Sequence, residues 1–231
     1  MDIPIYVINF NDIIRKNNMI KRFKSIELNL IFTDPVYITD SRLDFDNTTK
    51  VDPTKVDKRT WAIMLQHLDS IRHFYNNTTY DYCIVCEDDI LISKNFKTDL
   101  KDIIDNFNKL DLDILLLGYL LPLKPINNYF KVKKITGYNY HEYPDDLWGS
   151  QMYLINRRYA NFLLTKYTIE FAINNLDKPY SPDWTITKNC NRAIIYPMLA
   201  LEEGDNKSNN ISQNDFHRKC FENNYDPDIY I

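Results

Sequence analysis

Residues 82–90 read YCIVCEDDI, an apolar run that ends in three consecutive carboxylates. The run 82–86 does not alternate between polar and apolar side chains, which predicts a strand buried on both faces of a largely parallel sheet. In open α/β sheets, ligands bind beyond the carboxyl ends of the strands. The three carboxylates therefore stand where an α/β protein has its active site.

The segments on either side of this run predict the rest of the architecture. Apolar runs at 5–8, 31–32 and 114–117 indicate further buried strands, and helical spacing of apolar residues within 61–75, 96–107 and 159–163 indicates helices between them. Strands that alternate with helices predict an α/β fold: a Rossmann-like, mostly parallel sheet flanked by helices. We expect residues 1–231 to form a single domain, with residues 207–231 a loosely packed tail because they are rich in Asn, Ser and Asp.

Composition and charge exclude several classes of protein. With 44% apolar residues the chain can build a core, so it is not a disordered protein. The net charge of −4 and the scattered basic residues argue against a nucleic-acid partner. No signal-peptide pattern and no apolar run near the roughly 18 residues of a membrane span is visible, so we expect a cytoplasmic protein without a transmembrane segment. The oligomeric state stays open.

The acidic triplet suggests metal chemistry. Side chains alternate along an extended chain, so Glu87 and Asp89 can project together while Asp88 points elsewhere. Two carboxylates on one side suit Mn²⁺ or Mg²⁺, which in turn can bridge phosphate oxygens. The alternative is a solvated acidic turn at the end of a strand.

The triplet is one of several segments that resemble, in the same order, the motifs of glycosyltransferase family 25, the lipooligosaccharide and collagen β-galactosyltransferase family. These segments are residues 6–10, 66–67, 87–89, 113–118, 149–164, 182–184 and 197–208. The chain departs from the family pattern at Gln66 and Asn156, which stand where the family has serine. The basic cluster after the first strand is reduced to Arg15 and Lys16.

The resemblance implies a GT-A-like domain and a metal-dependent inverting glycosyltransferase. Such an enzyme moves a hexose from a UDP-sugar to a hydroxyl of a glycan or hydroxylysine acceptor. It implies Glu87 and Asp89 as ligands of Mn²⁺ or Mg²⁺, and Asp183 as the catalytic base. The residues expected to bind the nucleotide sugar are Val7, Asn9, Arg15, His67 and Asp88. Those expected to contact the sugar or the acceptor are Trp148, Gly149, Gln151, Trp184 and Ser208.

Several alternatives remain open at the level of sequence. Asp183 could instead be a helix N-cap, in which case the base would be Asp145, Asp146 or Glu202. His67 could be a surface or capping residue, and His217 could be either a solvated residue or a further cation ligand. At the level of function, the alternative is a non-catalytic, glycosyltransferase-like carbohydrate-binding or scaffold protein. A sugar nucleotidyltransferase is disfavoured, because residues 9–12 contain no glycine for a phosphate loop.

Overall fold

The computed structural model describes residues 3–45, 56–123, 132–136, 138–204 and 210–231. In these ranges the chain forms a central eight-stranded sheet and a separate two-stranded sheet. The strands are β1 (Ile5–Ile8), β2 (Ile31–Phe32), β3 (Tyr82–Glu87), β4 (Ile90–Ile92), β5 (Ile114–Leu120), β6 (Val132–Thr136), β7 (Tyr138–Glu142), β8 (Trp148–Asn156), β9 (Arg192–Tyr196) and β10 (Ala200–Glu202). The helices are α1 (Ile13–Ser25), α2 (Lys58–Asn77), α3 (Phe96–Lys109), α4 (Arg157–Lys166), α5 (Ile169–Asn174) and α6 (Ile211–Asn224).

The central sheet is mixed and has the strand order β2-β1-β3-β8-β5-β9-β7-β6. The pairs β1–β2, β1–β3 and β5–β9 are parallel, and the pairs that involve β8 or β7 are antiparallel. Thus β7 and β8 run against the other six strands. The fold is therefore α/β, with a mixed sheet in which most strands share one direction, and it is compatible with a Rossmann-like arrangement.

Each face of the sheet carries its own core, as the non-alternating apolar strands require. Along β1, Ile5 and Val7 face one apolar cluster whereas Tyr6 and Ile8 face the other. Helices α2 and α4 pack on the Tyr6 side, and α1 and α3 pack on the Val7 side. Because both faces are covered, strand β5 is buried along its whole length.

Helices α1, α2, α4, α5 and α6 begin at residues whose side chains cap them, whereas α3 has no side-chain cap among the described residues. The side chain of Asp57 accepts hydrogen bonds from the backbone N–H groups of Arg59 and Thr60 at the start of α2. The side chain of Asp12 does the same for Ile14 and Arg15 at the start of α1. These caps satisfy N–H groups that have no partner within the helix. Within the described ranges, no helix combines the length and the apolar character needed to cross a membrane.

The hairpin β6–β7 joins the sheet through β9. The structure differs from the expected pattern in two places. Strand β8 inserts antiparallel between β3 and β5, so the centre of the sheet is not parallel. The described part of the segment after residue 207 is packed rather than loose. It forms α6 and buries Cys220 and Tyr230.

Candidate active site

The carboxyl ends of β1 and β3 meet, because these strands are parallel neighbours with Ile8 opposite Glu87. Just beyond them, the amide of Asn9 donates to Oδ2 of Asp88 at 2.5 Å and to the backbone carbonyl of Asp12 at 3.0 Å. The carbonyl of Asn9 accepts from Nε2 of Gln66 at 3.1 Å. Asn9 is therefore fixed on three sides, and its side chain holds Asp88 in place.

Arg15 links the first turn of α1 to the acidic triplet. Its Nη1 lies 3.1 Å from Oδ1 of Asp88 and 3.0 Å from Oδ2 of Asp89. The side chain is about one-third exposed, at 36%. Arg15 thus partly compensates two carboxylates and still reaches solvent at the edge of the site.

Beyond this edge, three carboxylates lie close enough to Glu87 for their charges to act on it: Asp89, Asp183 and Glu202. Burial raises the pKa of Glu87 well above its usual range, and the charges of the other three raise it further. Burial also raises the pKa of Asp89 to about 7, with an added contribution from Glu202 and an opposing one from Arg15. Oδ1 of Asp89 is buried and has no hydrogen-bond partner among the described residues. The site therefore holds more negative charge than its described neighbours neutralise.

Strand β8 supplies the polar residues on the far side of this cluster. Oγ of Ser150 donates to Oε1 of Glu87 at 3.1 Å, and Nε2 of Gln151 lies 3.4 Å from Oε2 of Glu202. Oε1 of Gln151 is buried without a partner in the described part of the chain. Gly149 has φ +136°, and a Cβ there would come within 2.8 Å of the backbone nitrogen of Leu120. The close approach of β5 and β8 at this point requires glycine.

Asp183 is placed by a short π-helical turn over Pro182–Ile186. The residue at the N-cap position of that turn is Ser181, so Asp183 is not its cap. Instead, the Asp183 carboxylate lies beside the Ser150 hydroxyl, which donates to Glu87, and beside the Gly149 backbone N–H. Burial raises the pKa of Asp183, and the neighbouring Ser150 and Gly149 groups oppose the rise.

Glu202 arrives from the far end of the chain through the two-stranded sheet. Strand β10 pairs antiparallel with β4, which sets Glu202 opposite Ile90, and the backbone N–H of Glu203 donates to the carbonyl of Asp89 at 2.8 Å. Nδ1 of His217 on α6 lies 2.7 Å and 2.9 Å from the two carboxylate oxygens of Glu202. Burial opposes protonation of His217, but Glu202 raises its pKa overall. His217 is thus an ion-pair partner at the site, which its polar sequence context did not indicate.

Two tryptophans border the cluster. The rings of Trp148 and Trp184 lie 5.8 Å apart at 37°, and Trp148 is 46% exposed. Because Trp148 precedes Gly149 and Trp184 follows Asp183, this aromatic pair flanks the acidic cluster. Tyr143 is buried, and its hydroxyl donates to the carbonyl of Leu147 at 3.0 Å.

Two residues expected to touch a nucleotide sugar are placed differently. His67 is fully buried, where its Nδ1 lies 2.9 Å from the hydroxyl of Tyr153, and burial lowers its pKa to about 3. The side chain of Val7 is fully buried in the cluster that contains Met19 and Phe23. Neither side chain is accessible from the surface of the described structure. Ser208 lies outside the described residues.

The donor chemistry of the site suits a hard divalent cation, although no three described His, Cys, Asp or Glu residues form a group ready to hold a metal ion. The fit rests on the unpartnered Oδ1 of Asp89 and on the carboxylates around it. The alternative base Asp145 is mostly exposed and pairs with Arg192. Asp145 is thus engaged elsewhere, whereas Glu202 belongs to the cluster.

No protein-family model matches the chain, and no curated protein sequence is similar to it. Among solved structures, the chain is similar to one described as the crystal structure of A197 from STIV. The two share 12% sequence identity with a TM-score of 0.43, over 84% of this chain and 81% of that chain. This similarity is too low to bear on the function.

Proposed function

We propose that the chain is a metal-dependent inverting glycosyltransferase with a GT-A-like domain. Its reaction would move a hexose from a UDP-sugar to a hydroxyl of a glycan or hydroxylysine acceptor. The observation that carries the proposal is the acidic cluster at the carboxyl edge of the sheet, where the charges of Asp89, Asp183 and Glu202 all act on Glu87. Such an excess of negative charge suits a site that takes up a cation and a diphosphate together.

The residues that would hold the cation are Asp89 and Glu87, with Glu202 as a further carboxylate nearby. Asp89 offers an unpartnered oxygen, and its raised pKa of about 7 reflects the cost of carrying a charge there without a cation. A bound Mn²⁺ or Mg²⁺ would neutralise charge on the departing diphosphate.

The neighbouring side chains would position the nucleotide sugar. Asn9 holds Asp88, and Asp88 together with Asp89 holds Arg15 at the mouth of the site. The exposed third of Arg15 is available to a phosphate oxygen.

In this proposal, Asp183 removes the proton from the acceptor hydroxyl. Burial raises the pKa of Asp183 towards neutral pH. A carboxylate whose pKa is closer to the working pH is a better general base. The Ser150 hydroxyl and the Gly149 backbone N–H lie beside this carboxylate and favour its charged form. As the acceptor oxygen bonds to the anomeric carbon, the bond from that carbon to the diphosphate breaks and UDP leaves. The exposed face of Trp148 could stack on a sugar ring.

The test is UDP release from a panel of UDP-hexoses, with Mn²⁺ or with EDTA and with glycan or hydroxylysine acceptors. We expect release that depends on the cation and is lost in Asp89→Asn. The matched control is Asp81→Asn, which makes the same change at an exposed residue just before β3. Full activity in EDTA would contradict the metal mechanism. Cation-dependent UDP binding without any release would instead favour a non-catalytic binding protein.

A further inference from the structure

An exposed apolar patch lies beside the candidate site, where β1 leads into α1. We call it the α1 patch; it consists of Phe10, Ile13, Ile14, Tyr37 and Ile38, each at least 44% exposed. The rings of Phe10 and Tyr37 are 5.0 Å apart, and the Asn11 amide donates to the Tyr37 hydroxyl. Two separate segments are thus joined into one surface. Apolar side chains that are exposed together indicate a contact surface, whereas isolated ones do not.

The charges on helix α1 itself are of one sign, whereas Asp12 and Asp34 are acidic residues exposed beside the patch. Helix α1 contains five basic residues and no acidic one: Arg15, Lys16, Lys21, Arg22 and Lys24. The two arginines turn inward, Arg15 to the acidic triplet and Arg22 to Glu203. Lys21 and Lys24 stay exposed beside Ile20, itself 42% exposed, and neither forms an ion pair with a described residue. The outer face of α1 therefore combines isoleucines with uncompensated positive charge.

We infer that the α1 patch docks the protein on a lipid bilayer with anionic headgroups. Isoleucine and aromatic side chains can enter the interface between headgroups and acyl chains, while the lysines are attracted to anionic lipid. A second copy packed symmetrically on the same patch would bring like charges together, so it fits less well. Because Arg15, next to Ile14, contacts Asp88 and Asp89, docking would hold the acidic site close to the membrane surface. The inference does not depend on glycosyl transfer.

The apolar contribution is tested by sedimentation with vesicles of phosphatidylcholine, alone or with phosphatidylglycerol. We expect binding only to the anionic vesicles. The variant Ile14→Ser, which removes one isoleucine of the patch, should weaken binding to anionic vesicles roughly tenfold, since several membrane-buried methylene groups are lost. The matched control is Ile211→Ser on α6, because Ile14 and Ile211 are exposed to similar extents, 71% and 76%. The control should bind as the unaltered chain does.

The charge contribution is tested by reversing the charge of the two exposed lysines of α1, Lys21 and Lys24. The double variant Lys21→Glu, Lys24→Glu should lose roughly tenfold or more in binding to anionic vesicles. The pair Lys109→Glu, Lys178→Glu makes the same change in net charge at exposed positions elsewhere and should bind normally.

Three results would overturn the inference. One is a lack of preference for anionic over neutral vesicles. Another is an equal loss of binding in the control variants, which would mean that overall charge or hydrophobicity matters rather than the α1 patch. The third is self-association, seen by light scattering and removed by Ile14→Ser, without vesicle binding, which would assign the patch to a second copy of the chain.

Discussion

Replacing Asp89 by asparagine should stabilise the metal-free protein at alkaline pH. Burial raises the pKa of Asp89 to about 7 in the folded chain, against 3.8 for an ordinary aspartate. The folded state therefore binds a proton more tightly than the unfolded state does. Asp89 contributes stability that is fully present below about pH 4 and is lost as the pH rises through about 7. Asparagine removes this loss because it carries no charge at any pH.

The magnitude follows from the difference between the two pKa values. At about 1.4 kcal/mol for each pKa unit, ionising Asp89 in the folded state costs about 4 kcal/mol in full. About 3 kcal/mol of that is lost between about pH 5 and about pH 8. The pKa values of Glu87 and Asp183 are also raised by burial, so both residues add to the loss in the same direction.

The assay is urea unfolding in EDTA at both pH values for the unaltered chain, Asp89→Asn and the exposed control Asp81→Asn. We expect the unfolding free energy of the unaltered chain and of the control to fall with pH, and that of Asp89→Asn to fall by about 3 kcal/mol less. Adding Mn²⁺ at about pH 8 should stabilise the unaltered chain more than Asp89→Asn, since a ligand of the native state raises its stability. Equal pH dependence of the unfolding free energy in all three proteins would show that ionisation of Asp89 does not destabilise the folded state.

Three further predictions concern other parts of the structure. Asp183→Asn should lower transfer by roughly 10²–10⁴-fold with little change in melting temperature, because we propose the carboxylate as base and Ser181 holds the cap position; full activity would move the base to Glu202. Gly149→Ala should lower the free energy of unfolding in urea by about 3 kcal/mol, since the φ of +136° at Gly149 and the nearby backbone leave no room for a Cβ. An unchanged urea midpoint would contradict this reasoning. Arg157→Lys should lower the free energy of unfolding by about 2 kcal/mol, because lysine cannot reproduce the hydrogen bonds of the guanidinium to carbonyls at and just after the end of α2. A melting curve that matches that of the unaltered chain would rule this out.

Continuous apolar runs and helical periodicity were sufficient to predict β1, β2, β3, β5, α2, α3 and α4. Helix α1 was not predicted, because Ile13, Ile14 and Ile20 are exposed and only Met19 and Phe23 are buried, so its apolar stripe is broken. The place of β8 in the sheet could not be predicted either. Its neighbours β3 and β5 are chosen by long-range pairing, which local patterns do not encode.

For the site, the sequence predicted the acidic triplet at a strand end, and the structure places it at the carboxyl edge beside β1. Ser150 was not assigned to the site from the sequence. Its position among the polar residues just before the apolar run 152–155 could have indicated it. The burial of His67 was missed because the buried face of α2 is wider than its apolar stripe and includes Gln66 and Ser70. His217 could not be placed, because its contact with Glu202 depends on where α6 packs.

The pairing of β10 with β4 has a consequence for the order in which the protein is synthesised. Strands β1, β3, β5 and β8 are all complete once the ribosome has passed residue 156. Asp183 has not yet been made at that stage, and Glu202 joins the acidic triplet only when β10 emerges and pairs beside Asp89. A nascent chain can therefore assemble much of its sheet before the acidic cluster exists. A chain interrupted before Asp183 lacks two of the four carboxylates, however well its strands have paired.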